Sequence, residues 1–383
     1  MNTIQSKSIA IIGGGPGGLT LARLLQMNGA RVKVYERDTN RNARVQGATL
    51  DLHEESGLAA IKAAGLMEAF MANYRPGADK MRILDKAAHI LHDDDAGKNY
   101  DEARPEIDRG PLREILLESL QPGSVIWDSQ FVALHQNGSG FDIGFANGTT
   151  AYADIVIGAD GASSKVRNYI TPLKSIYSGV TALEGAIYNA AENAPELDRL
   201  LNGGKIFALG DDKTIIVSSK GDGSLAFYCG FNAAESWTRD SRIDFADRQQ
   251  LLQWFQQTFN GWGAIWSQMI GSSNSNFIPR PLYYMPLDQQ WETLPNLTMI
   301  GDAAHLMPPY AGEGVNMAML DALELSQCLL QDAFQDTKAA IAAYEKQMLG
   351  RASEITAMTL EQTAWMHANG NLDRMMQFFH GGD

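Results

Sequence analysis

Cysteine is almost absent. Cys229 and Cys328 are the two in 383 residues; they stand far apart, and neither belongs to a C-x-x-C or a Cys/His group. A disulfide framework and a structural zinc site are therefore not expected, and two buried free thiols are. Long apolar runs are missing as well: no stretch reaches the ~18 uninterrupted apolar residues of a membrane span, and glycines interrupt residues 8 to 25 where a signal peptide would need continuity. The expectation is a soluble cytoplasmic protein. Positive charge is scarce, with 31 Lys and Arg against 45 Asp and Glu and a net charge of −14, so phosphates of nucleic acid or of an anionic membrane would meet repulsion. The acidic run Asp93-Asp94-Asp95 lacks the spaced oxygen ligands and following glutamate of a calcium loop. It reads as a turn, and no metal is expected. No repeat period is visible, and the 45% apolar content is that of an ordinary core in one large domain or two moderate ones.

What is present is concentrated near the N-terminus. Ser8 to Ile12 is a short apolar run of buried-strand type that leads into Gly13-Gly14-Gly15-Pro16-Gly17-Gly18. Gly13, Gly15 and Gly18 have the G-x-G-x-x-G spacing: one glycine for the tight turn, one for close approach to a pyrophosphate, one for helix-on-strand packing. Leu19, Leu21, Leu24 and Leu25 give a helical face ending at Asn28-Gly29, and Val32 to Tyr35 is a second strand closing on Glu36. A carboxylate there can accept hydrogen bonds from both hydroxyls of an adenosine ribose. The motif predicts dinucleotide binding without choosing between NAD and FAD.

Further along, Arg37, Arg41, Arg44 and Gln46 either meet phosphates or form a solvated loop, and residues 54–74 have helical periodicity. Arg109 to Leu120 starts a second helix, with Pro111 in its first turn and Arg109 and Arg113 four residues apart, within reach of a cofactor. Between Ser124 and Ala153, Asn137-Gly138 and Asn147-Gly148 mark hairpins of a small antiparallel insert. The apolar run at 154–158 returns the chain to the parallel sheet before Ala159-Asp160-Gly161, Ser164 and Arg167. Short strands then follow at Lys205 to Leu209, Thr214 to Ser218 and Ser224 to Phe231, with a helix near Phe245 to Phe259 and aromatics at Tyr283-Tyr284. Leu297 to Ile300 is a strand that delivers Asp302 to a glycine-rich loop, from which a helix opens near Val315. That helix N-terminus, with about half a positive charge, suits the negative edge of a reduced flavin. Thr337 to Phe379 is helical and rich in Met, a brace first and a pocket wall second.

Three motifs in this order and spacing, Gly13-x-Gly15-x-x-Gly18 with Glu36-Arg37, Asp160-Gly161 with Arg167, and Gly301-Asp302 with Pro308, Gly312 and Gly314, resemble the single-component flavin-dependent aromatic hydroxylases, the group A monooxygenases. Within that group Gly47 to His53, Glu106-Ile107 with Leu112-Arg113, and Gly301 to Asn316 look most like tetracycline-inactivating monooxygenases of the Tet(X) type. The resemblance implies an α/β fold: a Rossmann-like FAD-binding domain, a parallel sheet with inserted antiparallel strands, over 1–172 and 286–335. It also implies a sheet-based substrate domain over 173–285 and a C-terminal bridging helix over 336–383. FAD would be held by Gly13, Gly15, Gly18, Glu36, Arg37, Asp51, Arg113, Asp160, Asp302, Gly312, Gly314, Val315 and Asn316. NADPH or NADH would reduce it transiently, with Arg167 a positioning residue and no separate NADPH domain. O₂ adding at flavin C4a would give a hydroperoxide that transfers one oxygen atom to an aromatic or polycyclic small molecule. The flavin performs that chemistry, so no catalytic side chain is expected, and His53 and His305 read as packed, hydrogen-bonded histidines.

The substrate side is expected at Glu184, Lys205, Phe207, Ala226, Pro309, Tyr310 and Gly312. Where the tetracycline group grips its drug with a glutamine, an arginine and a histidine, this chain has Glu184, Lys205 and Ala226, which is not a conservative exchange. Tetracycline inactivation by a monomer is one expectation. A flavin reductase of the same superfamily and a protein that merely sequesters an aromatic drug are the alternatives.

Overall fold

A computed structural model describes residues 4, 6–43, 49–94 and 104–380. Arg44, Gln46, Asp95 and the Gly47-Ala48 start of the Gly47 to His53 motif lie outside the described residues. Ser8–Ile12 is buried from Ile9 onward and takes the centre of a five-stranded parallel sheet. Its neighbours on one side are Ile155–Gly158 and then Leu297–Met299, and on the other Arg31–Tyr35 and then Val125–Ile126. A strand buried on both faces has no polar face to alternate with, which is why Ile155–Gly158 reads as one apolar run. The insert is smaller than the hairpin signals imply. Phe131–Asn137, Gly140–Phe145 and Thr150–Ala153 form a three-stranded antiparallel sheet, whereas Val125–Ile126 is the parallel edge beside Arg31–Tyr35.

The helix Pro16–Met27 starts on Gly15 and stops at Asn28, before Gly29 at φ +78°. It packs against Glu313–Leu330 so closely that a Cβ on Gly17 would sit 2.8 Å from the Ala318 carbonyl oxygen. The periodic stretch 54–74 is two short helices, Gly57–Ala63 and Met67–Met71, because Gly65 adopts φ +69° and ends the first.

A second, seven-stranded sheet is built mainly from the middle of the chain. Its order is Ile278–Tyr284, Ile176–Ile187, Leu225–Asn232, Lys213–Ser219, Lys205–Gly210, Met81–Asp85, Ile90–Asp93. The last two strands come from before residue 173, so this sheet draws on both sides of the boundary expected there. One face, with Leu183, Ile206, Val217 and Phe227, is sealed by Leu251, Phe255 and Trp266 of the helices Arg248–Thr258 and Ala264–Ser272. The alternate residues face the other way, as the two-residue period of a strand requires.

Thr337–Met366, started by the Asp336 carboxylate accepting from Ala339 N at 2.8 Å, bridges the two sheets. Near its start Tyr344 donates to the Met299 carbonyl, and beyond its end Asn232 of the seven-stranded sheet donates to the His367 carbonyl. The helical tail is not continuous: Gly370 at φ +78° separates this helix from Asn371–His380. No helix among the described residues is long and apolar enough to cross a membrane, and no group of three or more His, Cys, Asp or Glu among them is placed to hold a metal. Cys229 and Cys328 are free and buried.

Candidate active site

The glycine turn at the end of Ser8–Ile12 divides into positions the protein needs for itself and one it does not. A Cβ on Gly13, whose φ is +113°, would lie 2.2 Å from the Ala159 carbonyl oxygen, and one on Gly18 would lie 2.2 Å from that of Gly13. Gly15 differs, because no atom comes within 4 Å of its added Cβ and its φ of −78° suits any residue. Internal packing does not explain this glycine; close approach of a ligand to the backbone at the N-terminus of Pro16–Met27 does. Glu36 is buried and accepts from Gly14 N at 2.6 Å and Asp38 N at 3.0 Å, so its carboxylate holds the turn from beneath. Arg37 is exposed. Arg113 is buried against Asp38, the Arg41 carbonyl and the Trp127 ring.

Leu297–Met299 delivers Gly301, at φ +60°, and Asp302. Asp302 is accessible, in contrast to the buried Ala303, Ala304 and His305 that follow it. Desolvation raises the carboxyl pKa, against the opposing charges of His305 and Arg109. Of the two arginines four residues apart, Arg109 is the one whose charge acts on Asp302. The turn carrying Asp302 is fixed twice. From below, Asp321 accepts from Gly301 N (2.8 Å), His305 Nε2 (2.5 Å) and Arg351 (2.7 Å). Burial lowers the His305 pKa, and Asp321 reverses this to leave it raised. From the side, Arg167 donates to the carbonyls of Ala303 and Ala304 and to Gln289 Oε1, and burial lowers its pKa to about 10. The carboxylate of Asp160 is spent on its own turn, accepting from Ser164 Oγ, Lys165 N and Val166 N.

The loop into Glu313–Leu330 turns at Gly312, φ +72°. Gly314 leaves room for a side chain, the nearest atom to its Cβ position being Asp302 Oδ1 at 4.0 Å. Val315 is half-buried. Asn316, expected at the cofactor, is fully buried, and its amide is committed to protein: Oδ1 accepts from His53 N (2.9 Å) and Nδ2 donates to the Asp51 carbonyl (2.9 Å). Thr49–Asp51 pairs with Glu106–Asp108, opposing Asp51 to Glu106. Burial pushes the Asp51 carboxyl up, but hydrogen bonding to His53 and the charges of Lys205 and His53 bring it below its ordinary value.

Across from this loop is the open face of the seven-stranded sheet. Register puts Glu184, Ala226, Lys205 and Phe207 on that one face, with Ser218 between Ala226 and Lys205. Neither expected charge is unpaired: Glu184 accepts from Arg280 at 2.7 Å, and Lys205 is ion-paired with buried Glu106. Phe207 and Tyr310 pack around Ile83, Leu209, Met366 and Met375, while Pro309 is exposed. Sequence reading missed His367. Its Nδ1 faces the Thr363 carbonyl at 3.0 Å, which can only accept, so Nε2 is the acceptor and Tyr310 donates to it at 3.0 Å. Burial lowers the His367 pKa to about 4. A Cβ on Gly230 would lie within 2.6 Å of this nitrogen and of Tyr310 Oη, and 2.5 Å from Thr214 Oγ1. A histidine beyond a helix end carries no local motif, and only the nonlocal sheet brings it here.

A groove of about 600 Å³ lined by Lys7, Asp154, Tyr169 and Asn296 lies at the opposite, N-terminal ends of the parallel strands, whereas ligands of open α/β sheets bind beyond the C-terminal ends. The turn at Gly15, the carboxyl of Asp302 and the N-terminus of Glu313–Leu330 occupy the C-terminal ends; the backbone N–H groups of the two helix starts suit an anionic dinucleotide, and the carboxyl can accept from its hydroxyls.

The family described as "FAD binding domain" matches residues 6–221 and 293–359. Monooxygenase penA of Penicillium thymicola is 29% identical, the alignment covering 94% of this chain and 95% of that protein. The 6-hydroxynicotinate 3-monooxygenase of Pseudomonas fluorescens is 27% identical over 95% of this chain and 93% of its own. The tetracycline destructase Tet(55) has the same fold, with a TM-score of 0.76 at 20% identity over 98% of this chain and 95% of that one. The chain therefore belongs to the FAD binding domain family, and within it to the group A FAD-dependent monooxygenases.

Proposed function

We propose that this monooxygenase consumes NADPH or NADH and transfers one atom of O₂ to a planar phenolic or polycyclic molecule. The substrate would lie between the open face of the seven-stranded sheet and the Pro308–Gly314 loop. FAD, when bound, supplies the redox chemistry with O₂ by the route the resemblance implies. The chain's share is placement. Gly15 and the start of Pro16–Met27 receive the pyrophosphate, Glu36 the ribose, Asp302 and Arg109 the ribityl and phosphate portion, and the N-terminus of Glu313–Leu330 the negative edge of the reduced ring.

The observation that carries this reading is the meeting of two surfaces across one loop. The accessible Asp302 carboxyl lies 4.0 Å from the Cβ position of Gly314 at the end of the Pro308–Gly314 turn, and Tyr310 of the same turn packs in one cluster with Phe207 of the sheet. Because Glu184 and Lys205 are each neutralised by a partner, the site offers no free charge at those two positions. That favours an uncharged phenol over the ionised tetracycline that a charged pair would suit.

The test is oxygen uptake and NADPH or NADH oxidation by the purified yellow protein across a panel of tetracyclines, anthraquinones and simple phenols, with product masses recorded. A product one oxygen atom heavier, formed with oxygen uptake, supports the reading. A product heavier by hydrogen alone, without oxygen uptake, makes the protein a flavin reductase. Ligand bound with submicromolar affinity yet recovered unchanged makes it a sequestering protein.

A further inference from the structure

His53 has a carboxylate on each ring nitrogen. Nε2 lies 3.2 Å from Asp51 Oδ2 and Nδ1 lies 3.4 Å from Glu313 Oε1, and the side chain is only 3% exposed. A neutral imidazole has one N–H and one lone pair, so in this dry site it would aim its lone pair at one of the two carboxylates. An imidazolium donates to Asp51 from Nε2 and sets its positive charge 3.4 Å from Glu313, so neither acid faces a lone pair. The two acids belong to different elements. Asp51 ends the strand Thr49–Asp51, and Glu313 is the first residue of the helix Glu313–Leu330. The histidine backbone is itself fixed, His53 N donating to Asn316 Oδ1 one turn into the same helix. Asp51 Oδ1 lies only 3.2 Å from the Cβ position of Gly312, so both carboxylates sit directly against the turn that opens the helix. Without the positive charge between them they would repel across that turn.

We propose that the His53 imidazolium is a positioning residue that ties Asp51 to Glu313 and so seats the Gly312–Asn316 turn for FAD. The inference rests on reading that turn as a wall of the FAD site. The groups acting on the histidine are Asp51 and Glu313. Their hydrogen bonds, Asp51 first, outweigh burial and raise its pKa to about 9. Lys205 acts one step away, on Asp51, and is itself paired with Glu106. The charge is therefore kept through neutral pH and lost in mild alkali.

The experiment is titration of flavin-free protein with FAD, followed by flavin fluorescence, over a pH series crossing the His53 value of about 9. Wild type is expected to hold a constant dissociation constant near neutrality and to weaken by about tenfold through that value. His53→Gln, which keeps a donor but no charge, is expected to bind about five- to tenfold more weakly at neutral pH and to lack the break. Glu313→Gln removes one of the two acids and is expected to move the break to lower pH. His53→Gln with wild-type affinity and the wild-type break overturns the proposal. Should that variant not fold, a break unmoved in Glu313→Gln overturns it instead. Gly314→Val, at a position with room for the side chain, separates the two readings. If it leaves FAD affinity unchanged, the turn is not part of the FAD site; if it weakens binding while His53→Gln does not, only the role of His53 falls.

Discussion

At the scale of single residues the glycines and acids of the cleft make different predictions, although all carry the same family pattern. Gly15→Val places a side chain where the protein has no atom within 4 Å. Its thermal midpoint should match wild type while FAD binding is lost; a variant that retains FAD would remove the pyrophosphate from this turn. Asp302→Ala should behave similarly, because among the described residues nothing donates a hydrogen bond to its carboxyl. A lost contact to the cofactor costs about 1–3 kcal/mol, roughly five- to 150-fold in dissociation constant. Glu36→Ala is the contrast. It leaves the N–H groups of Gly14 and Asp38 without their acceptor, so it should lower the stability of the flavin-free protein by about 1–3 kcal/mol as well as weakening FAD. Denaturant unfolding of the three flavin-free variants distinguishes them. Equal stability of Glu36→Ala and Asp302→Ala would contradict this division.

At the scale of elements, Gly230 shows how a strand position serves a helix end. A Cβ there would meet Thr214 Oγ1, His367 Nε2 and Tyr310 Oη at 2.5–2.6 Å, so Gly230→Ala must displace the Tyr310 to His367 hydrogen bond or shift the helix end that carries it. The expected cost is about 1–3 kcal/mol of stability, as for overpacking elsewhere. Asn371–His380 should become more open to proteolysis with it, and unchanged cleavage of that segment would show the helix end to be independent of the sheet. The same neighbourhood marks where sequence reading stops. The strand at Ser8, the glycine turn, the helix to Met27 and the strand at Leu297 carry their signals within a few residues, and they form as read. The strand Ile176–Ile187 went unseen because Gly179 at φ +90° and a register shift between Tyr177 and Thr181 interrupt its alternation. The place of Met81–Asp85 beside Lys205–Gly210 is a pairing across more than a hundred residues that no local pattern encodes. Hence Glu184 and Lys205 were legible as charges, and their neutralisation by Arg280 and Glu106 was not.

At the scale of the whole molecule, the buried ion pairs set how stability depends on pH. Asp321 is held below the ordinary carboxylate value because His305 and Arg351 outweigh its burial; its contribution is present above the unfolded carboxylate value and is lost as pH falls through the folded one. His53 has the opposite sign. Its pKa is raised from 6.5 to about 9, so its contribution is complete below the unfolded value and disappears as pH rises between the two, and raised His305 adds a loss in the same direction. Allowing for screening, the His53 part amounts to about 1–2 kcal/mol, or a fall of about 1–2 °C in the thermal midpoint of a chain this long. Two effects overlap in that window, since the chain reaches its full −14, a count that takes histidine as neutral, only as its histidines lose their protons. Salt separates them. Repulsion between distant surface charges is screened over about 8–10 Å at moderate ionic strength, whereas a buried contact pair is screened much less. Thermal midpoints of flavin-free wild type and His53→Gln should therefore converge from pH 6.5 to 9 at both low and high salt. Added salt should raise both curves without closing the gap on the neutral side. Parallel curves for the two proteins across this range would mean that His53 carries no charge linked to folding, and the alkaline loss would then belong to His305 and to net repulsion.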